Sequence, residues 1–267
     1  LYLCSLGRIT NRGETVQKKD EDQIVWGRYE VAEALEAGHP VQRVYFSREA
    51  SGEQIDRIKN LAQKRGVRFD FIEVGKLGKL AGTRAHQDVV ARLSPVRLAD
   101  LKEVLRGLDE VSTIVALDQV RHLRNVGMIA RSAAAAGAAA LLLSGRGGHP
   151  LNDEVVKASS GAIFHLPVIQ TTHIGRDLEI MQQVGFWVYG LAASGGEDLF
   201  SVDWPKRRVL VVGNESKGLR PVVRKATDAL VRIPMAPEVE SLNVAVATSI
   251  ALFAARGPRV SASWTKI

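Results

Sequence analysis

Cysteine is almost absent from this sequence, whose 267 residues include only Cys4. A single cysteine excludes a disulfide within these residues and a zinc site built from several cysteines. The six histidines lack the spacing of metal ligands, so His86, His122 and His149 are interpreted as ordinary polar positions and no metal is predicted. The low cysteine content is typical of a reducing compartment, and we expect a cytoplasmic protein.

Long apolar runs are also lacking. Even the alanine-rich stretch from Ser132 to Leu143 is short and contains glycine, whereas a membrane helix needs about 20 apolar residues. The sequence therefore predicts no membrane span. A Gly-x-Ser-x-Gly elbow and a cysteine–histidine arrangement are missing too, which argues against a hydrolase with a covalent intermediate.

Two glycine-containing segments lack residues that nucleotide-binding loops need. Gly213 and Gly218 have the spacing of a phosphate loop, but Leu219 stands where that loop requires lysine. The segment from Gly145 to Pro150 follows an apolar run but lacks the last glycine of a dinucleotide-binding fingerprint. Binding of nucleoside triphosphates and of dinucleotides is therefore disfavoured.

Positive charge is in excess, with 36 Lys and Arg against 29 Asp and Glu and a formal net charge of +7. This excess favours a polyanionic partner such as nucleic acid. Charge alone leaves open a protein whose basic side chains merely face water. The hydrophobic content of 46% suffices for one large or two modest domains with their own cores.

The residue pattern divides the chain into a tail, a small α/β unit, a linker with a helix, a larger α/β unit and a second tail. Their predicted bounds are 1–23, 24–93, 94–111, 112–258 and 259–267. The first tail lacks sustained apolar periodicity and is predicted to be flexible, although a cleaved presequence would look the same. The linker begins at Ser94-Pro95, because proline restricts itself and the residue before it.

Apolar periodicity predicts the elements of both units and of the linker. Helices are expected at 29–37, 54–64, 98–105, 126–136, 153–158, 174–184 and 242–255. Strands are expected at 41–46, 69–73, 89–92, 113–117, 139–143, 166–169, 187–191, 209–212 and 230–233. In the larger unit, short uniformly apolar strands separated by helices predict a parallel sheet covered on both faces. Ligands of such sheets bind beyond the carboxyl ends of the strands.

Three loops at predicted strand ends carry distinctive sequences: residues 118–131, 213–219 and 233–244. In the second loop, glycines let the backbone approach a ligand, and Asn214 and Glu215 supply hydrogen-bonding groups. An ordinary tight turn closed by glycine would show the same pattern.

Single residues in the other two loops are open to two interpretations. Arg131 lies six residues after Asn125, so a helix that begins near Asn125 would direct the arginine towards the crevice. A surface arginine fits that spacing equally well. Ser241 precedes an apolar helical run and is predicted to be its N-cap, which would leave Asn243 as a first-turn residue.

Together the loops resemble the motifs of the SpoU (TrmH-like) family of RNA ribose 2′-O-methyltransferases. The usual forms of these motifs are Asn-x-Gly…Arg, Gly-Asn-Glu-Gly-x-Gly-Leu and Ile-Pro-Met…Glu-Ser-Leu-Asn-Val. The segments Val156–Ala162 and Leu166–Val168 also resemble the family, and Val25–Val31 and His86–Ala91 resemble its accessory substrate-binding domain. The resemblance covers roughly residues 24–256.

The resemblance implies a Rossmann-like α/β domain of the SPOUT class with a deep trefoil knot, and a small N-terminal α/β RNA-binding domain. It implies a homodimer with its active site near the interface, S-adenosylmethionine as cofactor and RNA as partner. Large-subunit ribosomal RNA is the expected substrate; transfer RNA, or a non-catalytic RNA-binding protein of this fold, are alternatives. The implied cofactor-binding residues are Leu191, Gly213, Asn214, Gly218, Ile233, Met235 and Leu242, and the implied catalytic residues are Asn125, Arg131, Glu215, Ser241 and Asn243.

Three departures from the motifs stand out. His122-Leu123 replaces Asp-Pro, which affects the expected shape of the substrate loop. Ser216 and Asp88 each replace a glycine, and both are expected to be tolerated if their backbones need no positive φ. An arginine guanidinium stays protonated in proteins and is therefore a poor proton acceptor, so Arg131 is predicted to orient the ribose and stabilise the developing alkoxide.

Overall fold

The computed structural model describes three stretches of the chain: residues 23–94, 98–145 and 152–256. The predicted tails except Gln23, the proline of the linker break and most of the Gly145–Pro150 segment lie outside these stretches, as do Cys4 and His149. Among the helices within them, none combines the length and apolar character needed to cross a membrane.

The N-terminal unit is a mixed sheet packed against helices. Its elements are β1 (Gln23–Trp26), α1 (Arg28–Glu36), β2 (Val41–Ser47), α2 (Glu53–Lys64), β3 (Arg68–Ile72), α3 (Val74–Ala81) and β4 (Val89–Leu93). The strand order is β1-β4-β2-β3, with β4 antiparallel to both neighbours and β3 parallel to β2. The prediction missed β1, which is only four residues long, and α3, whose Gly75 and Gly78 lower helix propensity.

The linker helix α4 (Leu101–Arg106) begins three residues later than predicted. Asp100 sets its start, because one carboxylate oxygen accepts hydrogen bonds from the amides of Lys102 and Glu103 at 2.9 and 3.1 Å.

The C-terminal unit confirms the predicted parallel sheet. Its elements are β5 (Ser112–Leu117), α5 (Leu123–Ala136), β6 (Ala140–Ser144), α6 (Asp153–Ala158), a 3₁₀ turn (Ala162–His165), β7 (Val168–Thr171), α7 (Ile174–Gln183), β8 (Trp187–Leu191), β9 (Glu197–Asp198), β10 (Arg207–Val212), α8 (Pro221–Lys225), β11 (Ala229–Arg232) and α9 (Val244–Arg256). Within the described residues the strand order is β7-β6-β5-β10-β8-β11-β9, and every pairing is parallel. The sequence pattern missed β9, α8 and the 3₁₀ turn, which are too short to show periodicity.

Both faces of this sheet are covered. Along β5, Val115 and Leu117 belong to a core shared with α5 and α9, whereas Ile114 and Ala116 belong to a second core shared with α7. Because successive strand residues point to opposite faces, this alternation requires a helical layer on each side. Burial on both faces explains why the sequence of β5 is uniformly apolar.

The two units are in direct contact. Buried side chains of α1 and β2 and buried side chains of α5 and α6 form one continuous hydrophobic cluster. The predicted division at residues 94–111 falls between β4 and β5, so the chain has two sheets but a partly shared core.

Candidate active site

The topology gathers the predicted loops at one edge of the parallel sheet. Strands β5, β10, β8 and β11 are consecutive neighbours, so their carboxyl ends lie side by side. This is the edge at which ligands of parallel α/β sheets bind. The loops after Leu117, Leu191 and Val212 and the segment from Ile233 therefore converge, as the sequence predicts.

A cavity of about 300 Å³ lies between these loops. Its volume is at the lower end of the range of small-molecule sites, about 300–1,000 Å³. All seven predicted cofactor-binding residues line it: Leu191, Gly213, Asn214, Gly218, Ile233, Met235 and Leu242. Glu215 and Ser241, predicted as catalytic, line it too. The structure brings these residues together; their roles stay predictions.

Sequence reasoning missed several lining residues: Ala192, Ala193, Val212, Ser216, Val244 and Ala247. The two alanines continue directly from Leu191, Val212 precedes the loop 213–219, and Val244 ends the loop 233–244, so their chain neighbours were the available signal. Small and apolar side chains carry little chemical information by themselves.

The loop after β10 needs glycine at both ends. Asn214 and Gly218 exchange two backbone hydrogen bonds of 3.0 and 2.9 Å, which closes the loop. A Cβ on Gly213 would overlap the backbone of Gly218, and Gly218 has a φ of 65°. The first glycine is therefore required by close packing and the second by its left-handed backbone.

Glu215 is surrounded by hydrogen-bond donors. Its Oε1 accepts from the backbone amide of His122 at 3.2 Å and from Asn125 Nδ2 at 3.1 Å, and its Oε2 accepts from Asn214 Nδ2 at 3.2 Å. Burial by itself raises the pKa of Glu215, but hydrogen bonds from its own backbone, Asn125, His122 and Arg121 outweigh burial and lower that pKa below the usual value. The group is therefore an ionised acceptor at neutral pH.

Asn243 connects this carboxylate network to α9. Its Nδ2 donates to Asn125 Oδ1 at 3.2 Å, while its Oδ1 accepts from the amide of Ala245 at 2.8 Å. Asn243 is thus the N-cap of α9, and the prediction that Ser241 caps this helix is wrong. Ser241 lies two residues too early and is exposed at the cavity.

Arg131 is not brought to the cavity within one chain. Helix α5 begins at Leu123, and Arg131 is exposed and donates from Nη1 to Ser160 Oγ at 3.1 Å. Six residues correspond to about 600° of helical rotation, so Arg131 points roughly 120° away from Asn125. Of the five predicted catalytic residues, the structure joins Asn125, Glu215 and Asn243 by hydrogen bonds and places Ser241 at the cavity.

Asp118 and Arg220 form a pair that was not predicted from the sequence. Asp118 is fully buried and accepts from the Arg220 backbone amide at 3.0 Å and from its Nε at 2.7 Å. This pair fixes the end of β5 against the chain that leaves Gly218. The position of Asp118 directly after a strand was the available signal.

Gly127 shows why the first motif needs glycine. A Cβ at this position would lie 2.5 Å from Ala158 Cβ and 2.7 Å from the carbonyl oxygen of Val155. Helices α5 and α6 therefore touch through the Gly127 backbone, and a larger residue would force them apart.

The departures from the motifs have different outcomes. Asp88 has a φ of 67° and follows Gln87 with a φ of 54°, so the condition under which aspartate was expected to be tolerated here is not met. Aspartate tolerates the left-handed region better than most residues, and Asp88 Oδ1 also accepts from Ser47 Oγ at 2.9 Å. Ser216 has no positive φ, and His122 precedes α5 without capping it through its side chain.

Within the described ranges, no group of three or more His, Cys, Asp and Glu side chains is arranged to hold a metal ion.

Family models match both units of the chain. Residues 112–253 match the SpoU rRNA Methylase family, and residues 24–99 match the RNA 2′-O ribose methyltransferase substrate-binding domain. The chain belongs to the SpoU family of RNA methyltransferases. S-adenosylmethionine is the methyl donor, and two similar solved structures contain it.

Similar proteins extend over nearly the whole chain. The 23S rRNA (guanosine-2′-O-)-methyltransferase RlmB of Xanthomonas axonopodis is 35% identical over 247 residues, covering 91% of this chain and 99% of the relative. Solved structures of an rRNA methyltransferase from Sinorhizobium meliloti and of AviRb from Streptomyces viridochromogenes, both with S-adenosylmethionine, have TM-scores of 0.74. The Sinorhizobium meliloti protein is 30% identical, and the match covers 90% of this chain and 88% of that protein. AviRb is 26% identical, and the match covers 91% of this chain and 93% of AviRb.

Proposed function

We propose that this SpoU enzyme transfers a methyl group from S-adenosylmethionine to the ribose 2′-hydroxyl of one nucleotide in large-subunit ribosomal RNA. The observation that carries the proposal is the cavity at the sheet edge, which joins all seven predicted cofactor-binding residues to the network of Glu215. The likeness to an enzyme named for 2′-O-methylation of 23S rRNA supports the substrate class.

The cavity fits the cofactor in shape and chemistry. The apolar side chains of Leu191, Ile233, Met235 and Leu242 suit the adenine ring, and the close-packed glycine loop leaves backbone groups accessible to the polar parts of the ligand. When bound, S-adenosylmethionine supplies an electrophilic methyl group on a positively charged sulfur.

Glu215, Asn125 and Asn243 act by positioning in this proposal. The ionised Glu215 accepts a hydrogen bond from the backbone amide of His122 and thereby holds the loop that leads into α5. Asn125 is hydrogen-bonded both to Glu215 and to Asn243 at the start of α9, so the position of α9 is linked to that of the loop. The two helices that carry the motifs are therefore fixed relative to the cavity, as transfer between two bound reactants requires.

The chain is proposed to act as a homodimer, in which Arg131 of one subunit lies beside the cavity of the other. Met128 on α5 and Val246 and Phe253 on α9 are apolar and 39–48% exposed. Arg131 lies one turn from Met128 and is exposed as well. A second copy packed on this face would cover the apolar side chains and complete the site. There the guanidinium would orient the ribose and stabilise the developing alkoxide.

Mixing two inactive variants tests the shared site. Arg131→Ala and Gly213→Ala subunits, each inactive alone, should regain up to about one quarter of the activity when exchanged, because one site in four then has both residues intact. No recovery in a mixture proven to contain heterodimers would contradict a site built from two subunits.

Two further parts of the proposal follow from family membership and composition. The deep trefoil knot is expected in the C-terminal unit, and the low cysteine content favours a cytoplasmic location. Transfer RNA is the alternative substrate, because a Bacillus subtilis relative, YacO, carries a TrmH-family name that covers tRNA and rRNA; it is 32% identical over 236 residues, or 87% of this chain and 94% of its own length.

Labelling of separated RNA decides between the substrates. Purified protein is incubated with radiolabelled S-adenosylmethionine and with unmodified large-subunit ribosomal RNA or transfer RNA. Incorporation into ribosomal RNA at one ribose supports the proposal, whereas incorporation into transfer RNA alone supports the alternative. A non-catalytic binding protein would incorporate no label. A chain that binds S-adenosylmethionine should gain about 2.7 kcal/mol in the free energy of unfolding at a donor concentration of 100 times the dissociation constant, whereas a protein without a donor site would gain none.

A further inference from the structure

Arg131 has one hydrogen-bond partner among the described residues, Ser160 Oγ at 3.1 Å. Ser160 occupies the left-handed region with a φ of 50°, which is uncommon for a residue other than glycine, and Gly161 follows with a φ of 82°. Their amides donate to Lys157 O at 3.0 Å and to Val156 O at 2.9 Å. The end of α6 is thus a closed turn that aims the Ser160 hydroxyl at Arg131.

The N-terminal domain holds this turn on one side through an ion pair whose carboxylate is buried. Lys157 Nζ lies 2.9 Å from Glu30 Oε1 and 4.1 Å from the centre of the Trp26 ring. The Glu30 side chain is only 6% exposed, whereas the Lys157 side chain is 35% exposed, so the carboxylate of the pair is buried and the ammonium group is half-buried. Glu30 depends strongly on its partner, because its carboxylate left alone would be buried without compensation.

The same domain holds the turn on its other side through direct backbone packing. A Cβ on Gly161 would lie 2.7 Å from Glu33 Cβ and 3.1 Å from Glu30 Cα, so helix α1 rests against the Gly161 backbone. Four residues further, His165 Nε2 lies 2.6 Å from Glu33 Oε2. Contacts from α1 therefore lie on both sides of Ser160 in the chain.

We propose that Ser160 is a positioning residue for Arg131, and that the N-terminal domain sets the position of Ser160 through the Glu30–Lys157 pair and the Gly161 contact. The inference rests on the function proposed above for Arg131. It makes the domain that captures RNA part of the same rigid unit as the side chain that acts at the ribose. A poorly docked domain would then slow methyl transfer even on bound RNA.

The first test is single-turnover methylation at saturating RNA and S-adenosylmethionine. Ser160→Gly removes the hydroxyl and keeps the left-handed backbone accessible, so the variant should fold. We expect its rate constant to fall at least tenfold with unchanged affinity for RNA and donor. Ser160→Asn, which tolerates positive φ and returns a hydrogen-bond acceptor, should restore part of the rate.

A matched control lies on the same helix. Ser132 Oγ is 2.7 Å from Ser249 Oγ, so Ser132→Ala also removes one serine hydrogen bond from α5. This variant should keep the rate of the unmodified chain. A Ser160→Gly rate within twofold of the unmodified chain would overturn the proposal.

A double-mutant cycle tests the role of the N-terminal domain. Glu30→Gln should lower the rate constant severalfold in the unmodified chain and have little further effect when Ser160→Gly is present, because both act through Arg131. Glu36→Gln removes the 2.7 Å pair with Arg57 inside the N-terminal domain and should leave the rate unchanged. Independent, multiplicative effects of Glu30→Gln and Ser160→Gly would refute the coupling. Absence of methyl transfer by the unmodified chain would instead refute the proposed function.

Discussion

Asn125 Nδ2 donates a hydrogen bond of 3.1 Å to Glu215 Oε1 although the two residues are 90 positions apart in the chain. They meet because β5 and β10, the strands that precede their loops, are neighbours in the parallel sheet. A third residue, Asn243, extends the network to the start of α9. Three motifs that look independent in the sequence are thus one hydrogen-bonded unit.

Glu215→Gln should weaken this unit in a pH-dependent way. The glutamine side chain would place its own N–H donors against the N–H groups that now donate to the carboxylate. We therefore expect a loss of about 1 kcal/mol in the free energy of unfolding at pH 7 and at least a tenfold lower methylation rate. The pKa of Glu215 is lowered in the folded chain, so its stabilisation is present above the unfolded value of about 4.3 and is lost as pH falls through the folded pKa.

Urea unfolding at several pH values measures this effect. The stability difference between Glu215→Gln and the unmodified chain should shrink as pH falls below the unfolded pKa of about 4.3 and then through the lowered pKa of the folded chain. A difference that is constant down to the lowest pH would show that charge on Glu215 does not contribute.

Gly213→Ala should abolish donor binding. Its Cβ has no space against the backbone of Gly218, so the loop that lines the cavity must move. Gly218→Ala is the matched comparison, because a Cβ there meets no atom within 4 Å and the cost is only backbone strain of about 1 kcal/mol at a φ of 65°. Calorimetric titration should show at least a hundredfold weaker binding for the first variant and less than tenfold for the second. Equal losses would contradict the packing argument.

Asn243 has two separable tasks, capping α9 and binding Asn125. Asn243→Ala should lose both, with about 1 kcal/mol of stability and most of the activity. Asn243→Asp keeps a capping oxygen but cannot donate to Asn125, so it should retain stability and lose activity. Thermal unfolding and methylation rates together test this. Ser241→Ala should leave unfolding unchanged; a loss of helix stability there would restore Ser241 as the cap.

Asp88 should tolerate glycine better than alanine. Asp88→Gly relieves the strain of a φ of 67° but loses the hydrogen bond from Ser47 and the half-exposed 3.4 Å ion pair with Arg28, so the free energy of unfolding should change by less than about 1 kcal/mol. Asp88→Ala loses both interactions and keeps the strain, and should cost about 1–2 kcal/mol. Denaturant unfolding of the two variants provides the check, and an alanine variant as stable as the glycine variant would argue against backbone strain.

Local sequence signals predicted most of the fold and the sheet edge at which the cavity lies, whereas the family resemblance supplied the seven cofactor-binding residues that line it. The strands and the loops after Leu191 and Val212 follow from apolar runs that end in polar or glycine residues, and strand neighbours bring them together. Helix starts were predicted less well: α4 and α9 were expected to begin at residues 98 and 242, but the caps Asp100 and Asn243 place their starts two or three residues later. The identity of the cofactor came from family resemblance, because backbone N–H and C=O groups are common to all residues and do not indicate which ligand a cavity binds.

Relationships across the fold were beyond the sequence. The pairs Asp118–Arg220 and Glu30–Lys157 join segments about 100 or more residues apart, and neither partner has a local pattern that selects the other. The same holds for Arg131, whose spacing within α5 fits both a surface position and a catalytic one. Its direction depends on where α5 begins and on Ser160.

The most direct test of ribose methylation uses RNA that differs by one oxygen atom. After the labelled nucleotide is mapped, single-turnover methylation is measured on two otherwise identical RNA fragments, one with the 2′-hydroxyl and one with a 2′-deoxy replacement at that nucleotide. We expect transfer of about one methyl group per RNA to the first fragment and none to the second. Transfer to the 2′-deoxy fragment at the rate of the hydroxyl fragment would place the methyl group elsewhere and contradict the account.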